Sequence, residues 1–369
     1  MALVVTPPQI DTVFACNPIV FTCSTSIGDG ISIINVDIWN ADHTVVLINA
    51  KYSVNNLACV FDLSGYIKNL FTSFDSIDYT SLIPVLDTCI KLQVDIYEDG
   101  GDPSTTILNI VYGVTQILED DIDVYAGCVG KKFLTGFTTP KFWKGFPFSL
   151  SVVRDINPLT SVFVLYDSVS DEIDSNIGTS SDISVRNINI SEIYNSDLTN
   201  HLWRSTPTIK AVLVESLTGE DWESEEKVVQ LMDSTKIIGT PVYLRWLNQL
   251  GGYDYYMFYL KDIVESTKSL SINKYPSNLQ AHHNQHDGTT KVISKVNIEH
   301  WTIGANWLTI AEFNELRKIC RSPKVDLWMP DKSAFLGVVI ADKTYTVPQD
   351  DEIIDIELDL IMPEIFTQR

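Results

Sequence analysis

A mainly β, multi-domain protein is what the sequence predicts, and three observations predict it. Short apolar segments alternate residue by residue with polar ones, as in "ISIINVDIW" (31–39) and "IKLQVDIYED" (90–99). That period of two marks strands with one face in a core and the other facing out. Only one stretch, "WLTIAEFNELRKICRSP" (307–323), carries a sustained helical period. The 369-residue chain is also longer than one hydrophobic core usually serves.

Residues 1–117 are expected to form a β-sandwich of immunoglobulin or fibronectin type, from strands at 31–39, 57–63 and 90–99 broken by "GDG" (28–30) and "EDGGDP" (98–103). Within it, "DLSGYIKNLF" (62–71) predicts one short amphipathic helix with Ser64 at its N-cap. The acidic "LEDDIDVY" (118–125) opens a middle β-rich domain, 118–236, with strands at 146–155, 161–167, 209–216 and 226–232. Its Ser- and Asp-rich "DSVSDEIDSNIGTSSD" (167–182) has the composition of a mobile surface excursion that orders on a partner.

Residues 237–369 predict an α+β domain, a sheet covered by one helix. Thr309 and Glu312 fit a capping box, Ile310, Phe313, Leu316 and Ile319 share one face, and Ser322-Pro323 ends the helix. Strands follow at 324–329, 335–347 and 353–362, after a long one at 291–303. In the last of them Asp355, Glu357 and Asp359 alternate with Ile354, Ile356, Leu358 and Leu360, which places the acids on a solvated outer face.

The stretch "LRWLNQLGGYDYYMFYL" (244–260) predicts a hairpin pivoting on Asn248–Gly252, where both glycines can take positive φ. Alternation puts Tyr253, Tyr255, Met257 and Tyr259 on one side and Tyr256, Phe258 and Leu260 on the other, so both faces are apolar. A sugar platform needs only one exposed aromatic face over a polar rim. Two such faces fit a strand buried by its own core on one side and by another domain or subunit on the other. Trp246, Tyr253, Tyr255, Tyr256 and Phe258 are therefore the expected interface residues.

The composition, 45% hydrophobic and 20% charged, is globular. A net charge of −22 repels a phosphate backbone, which argues against sequence-specific nucleic-acid binding. The six cysteines fall at no metal-like spacing and are expected as free thiols, and no apolar run reaches the roughly 20 residues of a membrane span. No nucleophile elbow, phosphate loop or H-E-x-x-H occurs, so no catalytic residue and no cofactor are expected. His282, His283 and His286 in "AHHNQH" (281–286) are the one metal candidate, against a solvated loop.

"FACNPIVFTC" (14–23), "VFDLSGYIKNLF" (60–71), "FWKGFPFSLSVV" (142–153), "LRWLNQLGGYDYYMF" (244–258) and "NWLTIAEFNELRKICRSPKVDLWMP" (306–330) together resemble tail proteins of tailed bacteriophages, of the type found in Bacteroidetes-type phages. The resemblance implies a β-sandwich joined to tail-tube-like or distal-tail-like domains. It implies a non-enzymatic virion protein that forms a ring in the tail, baseplate or tail tip, with itself and other tail proteins as partners. Such a subunit assembles in the host cytoplasm, does not insert in a membrane, and lets DNA pass through the ring. Two rivals are a host-surface glycan-binding protein, stacking sugars on Trp143, Trp222 or the tyrosine strand, and a polysaccharide-degrading tail enzyme.

Overall fold

The structure is a computed structural model. It describes residues 3–8, 12–24, 32–54, 58–71, 85–86, 89–99, 101–113, 132–154, 160–166, 172–176, 184–196, 208–217, 220–236, 239–273, 290–343 and 354–366. The chain is mainly β and divides into several sheets. Its contacts group into two compact units: Met1–Met232 with Leu247–Tyr255, and Asp233–Trp246 with Tyr256–Arg369.

The first unit begins with β1 (Val4–Thr6), β2 (Thr12–Phe14), β3 (Val20–Ser24), β4 (Ser32–Asn40), β5 (Val46–Val54), β6 (Ala58–Asp62), helix α1 (Ser64–Ile67), β7 (Val85–Leu86), β8 (Cys89–Glu98) and β9 (Ser104–Val111). A three-stranded sheet, β1-β3-β6, and a five-stranded sheet, β2-β9-β8-β4-β5, share one core. Phe21, Cys23 and Phe61 enter it from the first sheet, and Ile34, Val36, Val94, Ile96 and Ile110 from the second. This is the expected sandwich, and the alternation that predicted it is visible in β3, where Phe21 and Cys23 are buried between exposed neighbours.

The cap of α1 differs from expectation. Leu63 takes the N-cap position and makes no side-chain bond. The carboxylate of Asp62 does that work instead, accepting from the backbone N–H groups of Ser64 at 2.9 Å and Ile19 at 2.8 Å. An ionised acceptor two residues upstream outcompetes a serine hydroxyl, which here donates to the same carboxylate.

The unit continues with β10 (Lys141–Trp143), β11 (Leu150–Arg154), β12 (Thr160–Tyr166), β13 (Glu172–Asn176), β14 (Ser184–Ile188), helix α2 (Ile190–Ser196), β15 (Thr208–Leu217), β16 (Glu220–Glu223) and β17 (Lys227–Met232). The order β10-β17-β15-β12-β13 makes one sheet, with β16 beside β15, and β11-β14-β7 makes another. The pairing of β7 with β14 crosses the boundary expected near 117. Within the predicted excursion 167–182, residues 172–176 form β13 against β12, so that part is a strand; the rest lies outside the described residues. Helix α2 was not predicted.

The second unit holds β18 (Pro241–Leu247), β19 (Tyr253–Asn273), β20 (Thr290–Leu308), helix α3 (Ile310–Leu316), β21 (Val325–Met329), β22 (Ala334–Ile340), β23 (Ile354–Ile361) and β24 (Ile365–Phe366). Instead of an open sheet under one helix, the strand order β19-β18-β21-β22-β23-β20 returns to β19 and closes a barrel, with β24 added on β20. Closure leaves the strands in the ring without free edges. The helix is where the sequence placed it. Thr309 and Glu312 form the capping box, and Phe313, Leu316 and Ile319 are buried. It packs on β23 and β20.

One charged pair lies inside this packing. Register places Arg245 opposite Asp326, and Arg245 Nε donates to Asp326 Oδ2 at 2.8 Å with both residues buried. The guanidinium also stacks 4.0 Å over the Phe335 ring. A buried ion pair adds little by itself, but removing one partner strands a charge. Asp326→Ala is expected to lose about 3–5 kcal/mol in urea denaturation, and Arg245→Met with Asp326→Leu to recover most of it.

Candidate functional site

The hairpin predicted at 244–260 forms, and its tip and its flanks belong to different units. Its tip, Leu247–Tyr255, belongs to the first unit, and the flanking Asp233–Trp246 and Tyr256–Arg369 to the second. The turn is organised by Asn248, whose Oδ1 accepts from the N–H groups of Leu250 at 2.9 Å and Gly252 at 3.1 Å. Its Nδ2 donates to the carbonyl of Leu134 at 2.8 Å. Gly251 has φ +85°, and a Cβ on Gly252 would overlap the Leu134 carbonyl oxygen. The two glycines thus serve different needs, one a left-handed backbone and the other a close approach.

Beyond the turn, Asp254 accepts from Thr135 Oγ1 at 2.6 Å and from the Gly136 N–H at 3.2 Å. The Tyr255 hydroxyl shares a 2.6 Å hydrogen bond with Ser149 Oγ, and its ring meets Phe148 edge-on at 5.4 Å. In the second unit, the β19–β20 register sets Leu260 beside the buried Ile303, which puts Tyr256 and Phe258 on the barrel's inner side.

Trp246, Tyr253, Tyr255, Tyr256 and Phe258 are 1%, 2%, 2%, 6% and 1% exposed. The residues of this chain cover them, so the surface open to a second copy lies elsewhere. Trp143 is likewise buried, which leaves no ring face for a sugar. The side chain of Trp222, and His282, His283 and His286, lie outside the described residues. Among the described residues no group of three His, Cys, Asp or Glu converges as a metal site, and no helix is long and apolar enough to cross a membrane.

The open surface is further along the same strand. After the bond from the Leu260 N–H to the Thr240 carbonyl, β19 pairs only with β20 among the described residues, out to Asn273 and Thr290, while β20 carries β23 on its far side over His300–Leu308 and β24 at Val296 and Asn297, so β19 is the edge strand there. Every residue from 261 to 269 is exposed, including Ile263 at 44% and Val264 at 53%. The outer edge of β19 thus carries backbone N–H and C=O groups available to another strand. Glu265 also stands directly opposite Glu299, a like-charge pairing that disfavours the β19–β20 contact there.

At the base of this edge strand, the Tyr259 ring lies across Gly304 and its hydroxyl donates to Asn306 at 2.6 Å. Lys261 pairs with Glu357 on the same outer face. A bulge follows, in which Asn306 and Trp307 together oppose Asp355. Trp307 has φ +62° and is 76% exposed, with its N–H on Asp355 Oδ1 at 3.3 Å. An indole in a left-handed backbone costs about 1 kcal/mol and here gains no burial in return. Sequence reasoning missed both features. The signal available for the exposed strand was the length of the run 261–273, in which Lys, Asp, Glu, Ser and Thr are mixed with apolar residues on both faces; for Trp307 there was none.

No protein-family model matches the chain, and no curated protein matches it. Among solved structures, it aligns with the full extracellular region of plexin A4, domains 1 to 10, at 9% identity and a TM-score of 0.19. That alignment covers 98% of this chain and 31% of the other, and a likeness so slight carries no argument.

Several buried groups in the two units titrate only at high pH. Burial pushes the Cys23 and Cys89 thiols up to about 12 from 9.0, and burial, then the nearby Glu312 charge, holds the Tyr256 phenol well above its usual 10.0. Each holds its proton more tightly folded than unfolded. Their contribution is therefore complete below pH 9 and is lost as pH rises toward the folded-state values. The urea midpoint is expected to fall steadily from pH 9 to 11, and Tyr256→Phe to flatten the upper part of that decline.

Proposed function

We propose that the chain is a non-enzymatic structural subunit of a bacteriophage tail, assembling with copies of itself into a ring at the distal tail, baseplate or tail tip. The single observation that carries this reading is the stretch of β19 from 261 to 269, an exposed edge strand that pairs only with β20 among the described residues. A long free edge is a liability in a monomer. That property suits an element completed by a neighbouring subunit through added strand pairing and side-chain burial. Ile263, Val264 and Trp307 supply exposed apolar surface in the same unit. Contact between two different patches of identical subunits generates a ring when the rotation closes. The resemblance of the five sequence stretches to tail proteins supplies the setting, the virion.

Of the surfaces the glycan-binding rival would use, Trp143 and Tyr253, Tyr255 and Tyr256 are buried, and the Trp222 side chain lies outside the described residues. The expected result for the purified full-length protein is closed rings in electron microscopy and a concentration-dependent sedimentation coefficient. Ile263→Asp with Val264→Asp, at exposed positions that leave the fold intact, is expected to leave monomers. Monomers of the unmodified protein at high concentration would overturn the reading.

A further inference from the structure

The second unit carries a basic pocket in a chain whose 48 acidic residues far outnumber its 26 basic ones. Helix α3 runs on as a 3₁₀ turn, Arg317–Arg321, from which Arg317 and Arg321 project one turn apart. With Cys320, and with Asp342 and Lys343 from beyond the end of β22, they line a pocket of about 250 Å³. Lys343 makes a 3.5 Å contact with Asp359 Oδ2. Among the described residues neither guanidinium is in any hydrogen bond or ion pair, whereas Lys318 in the same turn is paired with Glu315 at 2.7 Å.

Two arginines in one pocket repel each other, and acids are plentiful in this sequence, yet among the described residues no carboxylate is bonded to either of them. Favourable interaction with the carbonyl end of the helix accounts for basic residues in the last turn. It does not account for Lys343, which arrives from a different element to the same pocket. Arg317, Arg321 and Lys343, set against Asp342 and the Asp359 carboxylate that Lys343 meets, leave the described residues of the pocket positive. The planar forks of two arginines offer the paired N–H donors that match an oxyanion with two or more oxygens.

We propose that Arg317, Arg321 and Lys343 form an oxyanion-binding site that takes a phosphate or carboxylate group. The site is independent of ring formation, since it is built within one chain. Its test is calorimetric titration of the full-length protein with inorganic phosphate and, separately, with succinate. Saturable binding at about 1 mM or tighter is expected for at least one of them. Phosphate alone assigns a phosphoryl source, and succinate alone assigns carboxylates. Arg317→Gln with Arg321→Gln is expected to weaken binding at least tenfold. Arg317→Lys with Arg321→Lys, which keeps the charge but not the fork, is expected to fall between. Lys343→Gln, at an exposed position, gives a second variant that does not touch the helix and is also expected to weaken binding. No saturable binding of either anion, or binding unchanged in both the glutamine pair and Lys343→Gln, would overturn the proposal.

Discussion

The close approach of Gly252 to the carbonyl of Leu134 is the constraint on which the aromatic hairpin depends. Any side chain at Gly252 would displace that carbonyl or the Ser151 side chain, and with them the hydrogen bonds that Asn248 and Tyr253 make to the same two residues. Because the tip is held this tightly, the tyrosines that follow it are fixed in alternation. Tyr253 and Tyr255 pack in the first unit, and Tyr256 and Phe258 in the second. A strand with two apolar faces is stable in water only when both are covered, and here both are.

That placement redirects the functional reading. The aromatic density at 244–260 looks like a binding surface as a string of letters, but the chain uses it up internally. What remains exposed is the continuation of the same strand, where residues 261–269 are open to solvent and the edge away from β20 is unpaired among the described residues. The division falls near Leu260, at the irregularity where the register of β19 against β20 shifts. On one side of it the strand is core; on the other it is surface. A structural subunit that meets its neighbours through an extended edge strand would be organised in this way.

Much of the fold was legible because it rests on local chemistry. The alternation of β3 and β23, the capping box at Thr309 and the glycine-pivoted hairpin are each decided by residues a few positions apart. What was not legible depends on distant partners. Barrel closure requires β19 and β20, β23 and β22 to meet around a ring, and nothing in the alternation of one strand distinguishes an open sheet from a closed one. Ser64 lost the cap to Asp62 because the same carboxylate is also needed by the Ile19 N–H across the sheet. The covering of the aromatic hairpin was legible only in part: alternation shows that two faces are apolar, but not whether another domain or another subunit covers the second, and here the chain itself buries both.

The central claim is that the aromatic hairpin is core and the edge strand beyond it is the assembly surface. Hydrogen–deuterium exchange of the full-length protein, compared between dilute and assembled samples, tests it most directly. Amides of 241–260 are predicted to exchange slowly in both samples, while those of 261–273 exchange quickly when dilute and become protected on assembly. Protection gained in the hairpin, or an edge strand unchanged by assembly, would contradict the account.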